Sequence, residues 1–127
     1  MRFLLDTHVI IWYFEDSPGL PRKIAEIIDD PENEIYISSV SLWEIAIKVN
    51  IGKLDLQVSL NELLHTITNS EFSVIQIEDD YLNGLEKLPA IHKDPFDRMI
   101  ISSALSENLT IITVDNNIQQ YKASWIW

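Results

Sequence analysis

The chain contains no cysteine, which excludes a disulfide framework, a thiolate nucleophile and a cysteine-ligated zinc site. This is compatible with a reducing cytosol, the expected location. Its three glycines are scattered, and no repeat, low-complexity stretch or Gly/Ser linker breaks the 127 residues. No run approaches 18 consecutive apolar residues, so a membrane-spanning helix is excluded. The opening Met1–Phe14 is apolar after one arginine, but Asp6 and His8 interrupt it and no small-residue cleavage site follows, so it does not read as a signal peptide. Positive charge is scarce as well. Nine Lys and Arg stand against twenty Asp and Glu, for a net charge of -11. Bulk attraction to nucleic acid rests on phosphate neutralisation by Lys and Arg, and it is absent here. Either the partner is not a polyanion, or bound cations and a local basic patch reverse the field where it matters.

What the chain does have is apolar content, 46% of its residues, enough to exclude intrinsic disorder and to fill one core, so a single domain over residues 1–127 is expected. Short, apolar, β-branched runs at Phe3–Leu5, Ile35–Ser38, Val74–Ile77 and Thr110–Val114 predict strands. The terminal Trp125-Ile126-Trp127 predicts a closing edge strand. Helical patterns lie between, over Thr7–Glu15, Arg22–Asp29, Ser41–Asn50, Leu60–Asn69, Asp79–Leu88 and Pro95–Asn108. Alternating β and α elements with near-continuous apolar strands imply an α/β fold, a three-layer sandwich around a parallel sheet of four to five strands.

Two helices place acids in revealing positions. Asp94 is a natural N-cap, with Pro95 at the first helical position. From Asp97, residues Ile100, Ile101, Ala104 and Leu105 fall within about 80° on the helical wheel, which turns Asp97 inward along the apolar stripe. A carboxylate there needs a partner. In Ser41–Asn50, apolar Leu42, Trp43, Ile45, Ala46, Ile47 and Val49 cover most of the circumference and leave Glu44 and Lys48 in the polar arc, where Glu44 faces a cleft.

Asp6 and Asp115 close strands, and Glu44 and Asp97 sit in first turns of helices. Singly, each has a structural explanation: Asp6 and Asp115 as N-caps, Ser41 and Glu44 as a capping box, Asp97 as a complement to the helix dipole, Glu44 and Lys48 as an i, i+4 pair. Jointly they fall on one rim, because a parallel sheet puts the carboxyl ends of its strands beside the amino ends of the following helices. Two carboxylates about 5 Å apart repel by roughly 3 kcal/mol at an effective dielectric near 20, whereas a helix dipole offsets only about 0.3 to 1 kcal/mol. A divalent cation would hold such a group together, and oxygen-only ligands favour Mg²⁺ or Mn²⁺.

At these residues the chain resembles the PIN domain family, and within it the VapC-type toxins of toxin–antitoxin systems. The resemblance covers essentially the whole chain. It is carried by Leu4-Leu5-Asp6-Thr7-His8, by Ser38-Ser39-Val40-Ser41-Leu42-Trp43-Glu44-Ile45, by His92-Lys93-Asp94-Pro95-Phe96-Asp97-Arg98 with Ile100 and Ala104, and by Thr113-Val114-Asp115. It implies a metal-dependent endoribonuclease of doubly wound α/β/α fold, acting with Mg²⁺ or Mn²⁺, whose four site acids map onto Asp6, Glu44, Asp97 and Asp115. The family pattern D-x-x-I-x-x-x-A fits Asp97, Ile100 and Ala104, so Asp94 is first a cap and secondarily an acceptor behind the site. The chemistry implied is in-line attack of a metal-activated water on phosphorus, leaving a 5′-phosphate and a 3′-hydroxyl. A cognate antitoxin and a homodimer are further expectations of the resemblance; a membrane is not.

Four of the eleven excess negative charges belong to these acids, and two divalent cations would cancel four. RNA would then be held by bases near the rim, for which Lys48, Lys93 and Arg98 are candidates; their alternative is as surface salt-bridge partners. Thr7, Ser38 and Thr113 are candidates for orienting ligands, against the simpler role of satisfying nearby backbone. His8 and His92 read as neutral histidines bonded to backbone rather than ligands of a hard metal. A phosphoacceptor receiver module would need an acidic pair at the first strand and a lysine after the last, and a haloacid dehalogenase-type phosphatase would need D-x-D; neither pattern is present. A catalytically inactive PIN-like scaffold is the remaining alternative, and four intact acids oppose it.

Overall fold

The structure is a computed structural model describing residues 1–127. Five strands form one sheet in the order β3-β2-β1-β4-β5, and every neighbouring pair is parallel. The strands are β1 (Arg2–Leu5), β2 (Glu34–Ser38), β3 (Ser73–Ile75), β4 (Thr110–Ile112) and β5 (Trp125–Ile126). Seven helices connect them: α1 (Thr7–Phe14), α2 (Arg22–Asp29), α3 (Ser39–Asn50), α4 (Leu60–Thr68), α5 (Asp79–Lys87), α6 (Pro95–Glu107) and α7 (Asn116–Gln119).

Because side chains alternate across a strand, both faces of the apolar central strands need cover. Phe3, Leu5, Ile35, Ile37 and Ile112 face one layer, where Val9, Ile10, Ile24, Ile28, Ile45, Leu63 and Ile67 close over them. Leu4 and Ile111 face the other, against Ile100, Ile101, Ala104, Ile118 and Tyr121. The three-layer α/β expectation is met. The chain runs from β1 outward through β2 to β3, then crosses back to place β4 on the other side of β1. The carboxyl ends of β1 and β4 thus flank the point where strand order reverses, the usual place for a crevice in such sheets.

The differences from the sequence expectation have local causes. Helix α3 starts at Ser39, and its cap is Ser38, whose hydroxyl accepts the Val40 N–H at 3.1 Å. The Ser41/Glu44 capping box therefore does not form. The buried positions of α3 are Val40, Ser41, Glu44 and Ile45, while Trp43 is 59% exposed; the polar arc, not the tryptophan, faces the interior. Leu105 likewise points out, although Ile100, Ile101 and Ala104 are buried as expected. Strand β4 stops at Ile112 because Thr113 turns the chain, its hydroxyl accepting the Asp115 N–H at 3.0 Å. Helix α7, a single turn capped by Asp115, was not expected. The tail does form the closing strand, with Ile126 and Trp127 packed on the core. No helix is long and apolar enough to cross a membrane.

Candidate functional site

Each acid is held where its backbone element ends or begins. Asp6 follows β1 and caps α1: one carboxylate oxygen accepts the Thr7 N–H at 2.7 Å, and the other accepts the Thr113 hydroxyl at 2.8 Å. It is buried. Burial pushes its pKa up, the bonds from Thr113 and Thr7 and the nearby His8 oppose this, and Asp115 adds to the rise. Asp97, in the first turn of α6, is also buried. Its pKa is raised to about 7, chiefly by burial and with the charges of Asp94, Asp6 and Asp115 adding to the rise, against the pull of a hydrogen bond from His92. Four aspartates from β1, the start of α6 and the end of β4 therefore act on one another across a single rim.

Asp94 and Asp115 are half-buried and serve as caps. Asp94 Oδ1 accepts the N–H groups of Phe96 and Asp97 at 2.9 and 3.0 Å. Asp115 Oδ1 accepts that of Asn117 at 2.8 Å. In each case the second carboxylate oxygen has no bond to the protein.

Glu44 reaches the rim from α3 and is 3% exposed. Its Oε1 accepts the Thr7 hydroxyl at 2.8 Å, and Thr7 and Ser41 hydroxyls are bonded at 2.9 Å. Its Oε2 is bound by Lys48 Nζ at 2.6 Å. The bond to Glu44 pushes the Lys48 pKa up, and the charges of Asp94 and Asp97 add to this. Lys48 thus stands between Glu44 and the aspartates as a positive charge. In this arrangement no three carboxylates or histidines lie within mutual reach of one metal ion. The four aspartates share a field, and Glu44 joins them through Thr7 and Lys48.

The donor set nonetheless fits a hard divalent cation. Every acidic group is an oxygen donor. Asp6 and Asp97 are buried with no Lys or Arg bound to them, and burial is the main cause that raises both pKa values. Beside the rim, Thr7, His8, Ile11, Lys48, Lys53 and Leu54 line a hollow of about 210 Å³.

The remaining candidates divide by partner. Thr7 and Thr113 each hold a site acid, whereas Ser38 only caps α3. Lys93 is exposed and makes no ion pair. Arg98 is committed inward: NH1 donates to Pro89 O at 2.8 Å and to the Tyr121 hydroxyl at 3.0 Å, and NH2 donates to Leu88 O at 3.3 Å. His92 departs from its expected backbone role; its ring joins the Asp97 carboxylate at 3.0 Å and the Tyr121 hydroxyl at 2.7 Å. Neither Tyr121 nor Lys53 was singled out by sequence. Tyr121 is a buried aromatic in a loop, and only its hydroxyl's position reveals a connection to the rim.

A family model described as PIN domain matches residues 3–124. The structure is similar to VapBC2 from Rickettsia felis bound to a DNA fragment from its promoter, with TM-score 0.75 and 20% identity over 99% of this chain and 98% of that one. It is similar to DNA-bound VapBC from Salmonella typhimurium, with TM-score 0.73 and 17% identity over 100% and 97%. FitAcB from Neisseria gonorrhoeae gives TM-score 0.71 and 16% identity over 98% and 96%. At such identities the likeness carries the fold. Comparison with curated protein sequences finds no match.

Proposed function

The chain belongs to the PIN domain family, and from that premise we propose that it is a VapC-type toxin, a divalent-metal-dependent endoribonuclease neutralised by a cognate antitoxin. The observation carrying this reading is the pair of buried carboxylates, Asp6 and Asp97, sharing one field with Asp115 and Asp94 beside the strand-order reversal. Both are hydrogen-bonded, Asp6 by Thr7 and Thr113 and Asp97 by His92, but neither is paired with a Lys or Arg, and a fold gains little from burying carboxylates without a cation. Membership in this family also removes the receiver module as an alternative.

Asp6, Asp97 and Asp115, with Glu44, are the residues proposed to hold Mg²⁺ or Mn²⁺. Such an ion supplies Lewis acidity, activating water and neutralising charge on the phosphate and leaving oxygen. The chain supplies the orientation. Thr7 N–H and the Thr113 hydroxyl fix both oxygens of Asp6, Thr7 Oγ1 fixes Glu44, and His92 fixes Asp97. Lys93 is the base proposed to bind an RNA phosphate, with Lys48 and Lys53 lining the adjoining hollow. Arg98 contributes there through its field, its NH1 and NH2 groups being used internally.

A further structural neighbour, VapBC-5 from Mycobacterium tuberculosis, is a member of the VapBC family of toxin–antitoxin systems. For this chain an antitoxin that sends a basic side chain toward the acids would suppress activity by the same charge logic. The test is induction in cells of the wild type beside Asp6→Asn and Asp97→Asn, with sequencing of RNA 5′ ends. Growth arrest and new 5′-phosphate ends are expected from the wild type alone. Equal arrest and identical ends from all three would leave an inactive scaffold, and 2′,3′-cyclic phosphate ends would refute the water-attack chemistry.

A further inference from the structure

The loop between α5 and α6 brings His92 beside Asp97, and its ring has partners on both nitrogens. Nδ1 lies 2.7 Å from the Tyr121 hydroxyl, and Nε2 lies 3.0 Å from Asp97 Oδ2. Which nitrogen holds the proton is decided one residue further out. The Tyr121 oxygen accepts from Arg98 NH1 at 3.0 Å and from the His92 backbone N–H at 3.2 Å. Neither can act as an acceptor, because a guanidinium and an amide N–H only donate. Both lone pairs of the phenol oxygen are thereby used. Its single proton then has one destination, His92 Nδ1, since Tyr121 is only 4% exposed. A nitrogen that accepts carries no proton, so the neutral ring holds its hydrogen on Nε2 and donates it to Asp97.

We propose that Arg98, Tyr121 and His92 form a one-way hydrogen-bond relay that fixes the Nε2–H tautomer of His92 and makes it a positioning residue for Asp97. This rests on the cation-binding reading of the site above. The relay occupies one lone pair of Asp97 Oδ2, stops the carboxylate from rotating, and carries the polarisation of the Arg98 guanidinium inward through three hydrogen bonds. Asp97 is left with its other oxygen and remaining lone pairs for the rim. Arg98 anchors the far end by also binding the carbonyls of Leu88 and Pro89, so the loop cannot lift His92 away without breaking those bonds. Partners that orient a metal-ligating group in this way are worth about 10- to 100-fold in metal affinity.

The test pairs a tautomer measurement on the metal-free full chain with Mn²⁺ titration calorimetry. Long-range proton–nitrogen NMR of ¹⁵N-histidine protein, with the His92 signals assigned by their loss in His92→Gln, is expected to show an Nε2-protonated ring. Tyr121→Phe should shift the Nδ1 resonance toward that of an unbonded acceptor. In calorimetry, His92→Ala is expected to weaken Mn²⁺ binding about 10- to 100-fold, and His92→Gln, whose amide N–H falls near the place of Nε2–H, to recover most of it. A proton on Nδ1 in the wild type, or equal Mn²⁺ affinity in wild type and His92→Ala, overturns the relay. Absence of Mn²⁺ binding by the wild type overturns the proposed function instead, and the tautomer then decides the relay by itself.

Discussion

Thr113→Val tests whether the rim depends on a single hydroxyl. Thr113 is fully buried, donates to Asp6 at 2.8 Å and accepts the Asp115 N–H at 3.0 Å. Valine keeps the volume and β-branching and deletes only these two bonds. A hydrogen bond to a buried charged group contributes about 1.5 to 3 kcal/mol, and a neutral one about 0.5 to 1.5 kcal/mol. Asp115 is only half-buried, so water can replace its lost acceptor. The expected net loss is about 2 to 3 kcal/mol. For 127 residues the unfolding entropy near 60 °C is about 0.27 kcal/mol/K, so the midpoint should fall by about 10 °C. Urea denaturation at pH 8 in EDTA should show this loss at constant slope. Thr113→Ser, which keeps the hydroxyl, should recover much of it. In an Asp6→Asn background the same Thr113→Val change should cost only about 1 kcal/mol, the value of a neutral bond. An equal loss in both backgrounds, or a serine variant as unstable as the valine one, would refute the reasoning.

Other outcomes follow from the same geometry. In EDTA, stability should decline as pH rises from about 4 to about 7. The folded Asp97 has its pKa raised to about 7 by burial and by the neighbouring aspartates, so the folded state keeps a proton that the unfolded chain has already released. Asp97→Asn should flatten that slope in equilibrium denaturation across the range, and a slope unchanged by the variant would place its origin elsewhere. Asp94→Ala should cost about 1 kcal/mol and Asp94→Asn much less, because asparagine still caps α6; equal losses would show that charge, not capping, matters there. Lys48→Met should leave Glu44 buried without its cation and lower the thermal midpoint in EDTA, with added Mn²⁺ recovering part of the loss. A midpoint unmoved by the substitution would mean that the pair contributes nothing to stability.

The layer order and the inward turn of Asp97 were legible in the sequence because each rests on short-range rules. Apolar runs too short for helices become strands, Asp94 before Pro95 marks a helix start, and the periodicity around Ile100, Ile101 and Ala104 turns Asp97 inward. Where the expectation failed, a long-range contact had displaced a local one. Ser41 matches a capping box, yet Thr7 of another helix claims its hydroxyl and Ser38 becomes the cap. Trp43 reads as core by hydropathy, but the helix turns Glu44 inward to meet Thr7, leaving the indole outside against Phe96.

The partners of the acids were decided by tertiary structure alone. Thr113 and Asp6 are 107 residues apart, and His92 and Tyr121 are 29 apart; no periodicity or spacing rule relates such positions. Arg98, four residues from Asp94 and next to Asp97, reads as a rim base until the fold supplies Tyr121 and the carbonyls of Leu88 and Pro89 as its acceptors. The linear chain determines which residues carry charge and which faces must be buried. The direction in which each charge points, and what holds it there, depends on groups that become neighbours only when the sheet closes, because hydrogen bonds act over about 3 Å.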